Sequence, residues 1–149
     1  MRYSWGKGDV VLAGDEQIAS AQRSWFRERA EVTIGGVEWL FRADGRDRVG
    51  ESQGQVRIRA RQRSIWSHRY DIDGVHASYS LGAKSMWSTR LVLTRHQSEV
   101  GEVRRSSLWA NRPELATTED LAAEDAVFLL WLAYLLAARD DSSAAGAMT

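Results

Sequence analysis

Thirteen consecutive uncharged residues, AVFLLWLAYLLAA at 126–138, constrain what this chain can fold into more than any other feature. The stretch is rich in Leu and Ala and contains neither Pro nor Gly, which favours helix over strand. Just ahead of it, Thr117-Thr118-Glu119-Asp120 offers a capping-box pattern, a Thr followed three residues later by a carboxylate. Glu119, Asp120, Glu124 and Asp125 fall in the first turns, where the helix dipole favours negative charge, and Arg139 closes the far end with the opposite sign. The expected helix spans 118–138.

Its second half has no polar face, because Phe128, Leu129, Leu130, Trp131, Leu132, Tyr134, Leu135 and Leu136 point in every direction around the axis. A helix apolar on all sides must be buried in protein or in lipid. Thirteen residues rise only about 20 Å, against the roughly 30 Å of a bilayer's hydrocarbon core. Burial in protein is therefore the expectation. A C-terminal membrane anchor and an oligomer seam are the alternatives.

At 149 residues the chain fits one domain with a real core, and 44% hydrophobic with 27% charged residues is an ordinary globular balance. The net charge of zero points to neither a nucleic-acid binder nor a membrane-surface protein. The absence of cysteine excludes disulfides, thiol catalysis and cysteine metal sites. The first residues, MRYSWGKGDVV, lack an apolar signal segment, so the expected location is cytoplasmic, peripheral at a membrane if lipid is the ligand. Charge is nonetheless uneven: residues 1–115 carry nineteen Arg and Lys against fourteen Asp and Glu, and 116–149 carry one against six.

The rest reads as strands about every ten residues with turn signals between them. RAEVTIG at 29–35 and VEWLFR at 37–42 alternate across Gly35-Gly36, a tight hairpin signal. SIWSHRYDI at 64–72 and VHASYSL at 75–81 predict a second hairpin across Asp73-Gly74. Further strands are expected within 10–12, 16–26, 48–51, 55–63, 85–95 and 99–105, and 107–111 leads to the only proline, Pro113. The tail at 141–149 is small and polar, and is expected to be disordered. A sheet covering one face of the helix would leave its other face wet; a sheet closed around it hides all faces and removes the edges. The expected fold is mainly β: a closed antiparallel barrel of about twelve strands, residues 1–140, around a central apolar C-terminal helix.

A strand-rich body with D-G hairpins, ending in LAAEDAVFLLWLAYLLAARD, resembles the tubby C-terminal-like superfamily, which includes the LURP-one-related proteins and phospholipid scramblases. The resemblance rests on architecture over roughly residues 10–140. It implies a twelve-stranded barrel around a central helix, with membrane-lipid or regulatory roles, and carries over no tubby phosphoinositide-binding residue.

Motifs for enzyme chemistry are missing. His68, His76 and His96 have no zinc-protease spacing, and there is no nucleophile elbow, Walker loop or dinucleotide fingerprint. Asp71 and Asp73 read as turn chemistry before Gly74. No catalytic residue, metal or cofactor is expected. The sharpest feature is Arg57, Arg59, Arg61 and Arg63, whose period of two places them on one face of one strand, with heads roughly 7 Å apart. Arg42, Arg48 and Arg69 could widen that patch. It is either an anion site for a phospholipid head group or a regulatory partner, or a solvated outer face paired with Glu38, Glu51 or Glu102. Nucleic acid is a weaker option, with only Trp66 and Tyr70 as stacking candidates beside the row. A barrel carrying a small hydrophobic ligand is the remaining alternative, opposed by the bulk of Phe128, Trp131 and Tyr134.

Overall fold

The computed structural model describes residues 1–21, 28–63, 69–83, 90–105 and 112–147, with side chains described as far as Arg104 in its strand and Ala137 in the helix. Several expected features lie outside these residues: the end of the strand at 16–26, the starts of those at 64–72 and 85–95, the segment 107–111, and Trp66 and His68.

Alternation of small apolar and polar residues, broken by glycine turns, produces a meander of short strands. These are β1 (Arg2–Gly6), β2 (Val10–Ala13), β3 (Glu16–Ala21), β4 (Ala30–Ile34), β5 (Val37–Asp44), β6 (Asp47–Ser52), β7 (Gln55–Gln62), β8 (Tyr70–Asp73), β9 (Ser78–Ala83), β10 (Leu91–Arg95), β11 (Ser98–Arg105) and β12 (Pro113–Thr117). Each pairs antiparallel with its sequence neighbours, and β1 pairs with β12 to close the barrel. The Gly35-Gly36 hairpin forms as expected: Ile34 faces Val37, and both glycines have positive φ, at 57° and 80°. Ala30, Val32, Ile34, Trp39, Phe41, Ile58 and Ala60 are buried, as period-two strands with one wet face require.

The helix α1 (Ala123–Ala147) fills the barrel. Every residue from 126 to 133 is at most 1% exposed, so all sides of the helix are covered by the wall. Phe128 and Trp131 pack against Phe41 of the wall with ring centroids 5.2 and 5.4 Å apart. Gly50 makes room for them, since a Cβ there would lie 3.2 Å from the Phe41 ring and 3.4 Å from that of Phe128.

The helix boundaries differ from expectation. It starts at 123, and the capping box does not form. Thr117 and Thr118 belong instead to the wall: their amides donate to the carbonyls of Met1 and Val100, both at 2.8 Å, and the Thr117 hydroxyl donates to the Glu119 carbonyl at 2.6 Å. The chain needs 118–122 to turn from the wall onto the barrel axis. At the other end the helix continues to Ala147, past 138, because nothing before Gly146 breaks it and Ala144 and Ala145 favour it.

The second hairpin also differs. Asp73 pairs with Ser78, so 74–77 forms a four-residue turn, closed by the Gly74 amide donating to the Ala77 carbonyl at 2.8 Å. Gly74 is required here for space, not for a positive φ: a Cβ would lie 2.7 Å from both the Ala77 carbonyl oxygen and the Asp125 carboxylate. Gly74→Ala is expected to lower stability by about 1–3 kcal/mol, read as a lower urea midpoint at unchanged m-value.

Candidate anion-binding face

Strand β7 sets the geometry of the arginine row. Ile58 and Ala60 point into the core, which sends Arg59 and Arg61 outward. Arg61 and Arg63 have side chains 60% and 59% exposed. Arg57 departs from the regular row. It is the extra residue of a bulge, because Gly50 pairs with Ile58 while Glu51 pairs with Val56. Its guanidinium sits over the Trp39 ring, 5.5 Å from the centroid, a cation–π arrangement.

The other three meet carboxylates, though not the expected glutamates. Arg59 bonds both Asp44 and Asp47 at 2.9 Å, Arg61 bonds Asp73 at 2.6 Å, and Arg63 bonds Asp71 at 2.7 Å. The register explains the choice: Asp73 and Asp71 on β8 lie opposite Arg59 and Arg61, so each aspartate is within diagonal reach of the next arginine along. Hydrogen bonds from Asp44 and then Asp47 hold the Arg59 guanidinium above the ordinary arginine pKa.

Of the residues expected to widen the patch, Arg42 pairs with Glu51 at 3.3 Å, whereas the row pairs with aspartates. Arg69 lays its stem on Gly82, where a Cβ would lie 2.9 Å from the Arg69 Cβ. Arg48 does not join. It pairs with the inward positions Ala43 and Ala60, is 4% exposed, and donates to the carbonyls of Asp47 and Arg46 and to Glu28. Tyr70 is 1% exposed and faces the core, so it offers no stacking platform beside the row.

A second constellation marks the start of the helix. Asp125 is 1% exposed and accepts the Val75 amide at 2.7 Å, the His76 amide at 3.3 Å and the Tyr79 hydroxyl at 3.3 Å. Burial pushes its carboxyl above the usual range, with those three donors opposing. Perturbed acids often mark catalytic sites. Here, however, Gly74 packs against the carboxylate, and its partners are two backbone amides and one phenol. This is a pin joining the β8–β9 turn to the helix.

Tyr79 is pushed up to about 12, first by burial and then by the Asp125 charge. A raised phenol contributes stability that is complete below its unfolded value near 10 and is lost as pH rises through about 12. Tyr79→Phe should therefore flatten the alkaline fall in stability across that window, measured by urea melts at stepped pH.

Among the described residues, no three His, Asp or Glu side chains group so as to hold a metal ion, and no helix is long and apolar enough to cross a membrane. Comparison with family models, curated proteins and solved structures finds no match.

Proposed function

We propose that this chain is a non-enzymatic barrel of the tubby-like and LURP-one-like kind that recognises an anionic group through the outer face of β7. The anionic group is a phospholipid head group or an acidic surface of a regulatory partner. The observation that carries the reading is the exposed pair Arg61 and Arg63, each held, among the described residues, by one surface carboxylate. Such exposed pairs contribute about 0–1 kcal/mol, so a phosphate able to accept two parallel N–H bonds from one guanidinium can displace them. The aspartates interleaved with the arginines limit long-range attraction, so binding relies on contact exchange and weakens with salt. Phe128 and Trp131 packed on Phe41 occupy the middle of the barrel, which favours external recognition over a carried hydrophobic ligand.

The test is sedimentation with phosphatidylserine-containing and with neutral phosphatidylcholine vesicles, using the native chain, R57S/R59S/R61S/R63S, and the matching four-lysine variant. Salt-sensitive binding to anionic vesicles alone is expected, lost with Ser and weakened with Lys, which cannot make the bidentate fork. Equal behaviour of native and Ser proteins would remove the face as a site. Absence of vesicle binding would leave the acidic partner as the form of the proposal to pursue, by titrating a phosphopeptide against the same variants.

A further inference from the structure

We infer that a recess at the helix-entrance end of the barrel, separate from the Arg59–Arg63 row, takes an alkylguanidinium group such as the arginine side chain of a partner peptide. The recess, of about 290 Å³, lies beside the β6–β7 turn and is lined by Glu31 of β4, Glu38, Trp39 and Leu40 of β5, and Glu51 and Ser52 of β6, with Gln53 and Gly54 closing it. Register brings these together: Glu31 pairs with Leu40, and Leu40 with Glu51.

Three features give the recess its preference. Glu31, Glu38 and Glu51 place carboxylates from three adjacent strands around it, and Arg42 pairs with Glu51 at 3.3 Å. Ser52, 3% exposed, lines the recess with a buried Oγ that has no hydrogen-bond partner among the described residues, an acceptor that a ligand N–H can satisfy. The chain's own Arg57 supplies the third. Its guanidinium already uses the Trp39 face at 5.5 Å, which identifies the group that this aromatic and acidic surroundings accommodate. The volume sits at the lower edge of the roughly 300–1,000 Å³ typical of small-molecule sites, enough for one side-chain head and its methylenes.

Arg57 is then an internal competitor. Its position as the extra residue of a bulge places it beside Trp39 without its taking part in the regular outer row. An incoming arginine displaces it from the ring face, and the acidic rim compensates the charge of the newcomer.

The probe is the capped tripeptide acetyl-Gly-Arg-Gly-amide, titrated calorimetrically, with the Glu-for-Arg tripeptide as control. Binding that weakens with salt is expected for the arginine peptide only. Glu31→Gln with Glu38→Gln, both exposed positions, should weaken it about tenfold, and Arg57→Ser should strengthen it by a similar factor. Far-ultraviolet circular dichroism of each variant establishes that the barrel is intact. Two results would overturn the inference: no binding by either the native chain or Arg57→Ser at millimolar peptide, or unchanged affinity in the double glutamine variant. Loss of vesicle binding in the proposed function above would leave this result untouched, because its readout does not involve Arg59, Arg61 or Arg63.

Discussion

Replacing Leu132 by Asp is expected to abolish folding. Leu132 is 0% exposed, midway along a helix whose neighbours on every side are wall residues or other helix side chains. The substitution removes about 1.5–3 kcal/mol of apolar burial. It also places a carboxylate within the apolar core cluster, at an effective cost of several kcal/mol more. A domain of this size has only about 5–15 kcal/mol in total. The expected result is a chain without cooperative urea unfolding and without a native near-ultraviolet circular dichroism signal. Leu132→Met, which keeps volume and polarity, should cost less than about 1.5 kcal/mol and serves as the control. A folded, monomeric Leu132→Asp protein would mean that the helix does not occupy the barrel.

Asp125→Ala carries the next largest expected effect, about 1–3 kcal/mol for each buried donor left without an acceptor. The carboxylate accepts the Val75 and His76 amides and the Tyr79 hydroxyl, and its removal leaves these donors without the acceptor they share. The loss is local to the seam between the β8–β9 turn and the helix. A double-mutant cycle with Tyr79→Phe should therefore be clearly less than additive, while one with a distant surface change on β11 should be additive. Because burial raises the Asp125 carboxyl, its ionised form is the less favoured one in the folded state. The contribution of its protonated form is complete below the unfolded carboxylate value and is lost as pH rises through the higher folded one. Native stability relative to Asp125→Ala should accordingly increase on mild acidification, read from paired urea melts.

The architecture was legible because one physical demand dominates the sequence. A helix apolar on every side cannot be satisfied by an open sheet, and short alternating strands can close around it. The details that escaped depend on register, which composition does not reveal. The bulge that turns Arg57 onto Trp39 inserts one residue into a period-two pattern that otherwise looks unbroken from Gln55 to Gln62. Arg48 reads as a surface cation until its partners are known to be Ala43 and Ala60, whose small side chains leave it room inside.

Asp73-Gly74 carries the signature of a two-residue hairpin. The glycine is instead selected by a carboxylate fifty-one positions away in sequence, at Asp125. Asp125 itself read as a dipole partner in the first helical turn, and nothing local distinguishes a carboxylate facing water from one facing a buried amide. The alignment of Arg59, Arg61 and Arg63 was visible, but their aspartate partners were not. Asp71 and Asp73 became neighbours of the row only when β8 took its register against β7.

The helix is the core of the barrel. The measurement that tests it most directly is native-state hydrogen exchange of the helix amides from 127 to 136. If the helix fills the barrel, these amides exchange only through global unfolding, with the same free energy and denaturant dependence as the most protected amides of β5 and β6. Helix amides that exchange through a smaller opening, while the strands stay protected, would show a helix that leaves an intact barrel and would contradict the account.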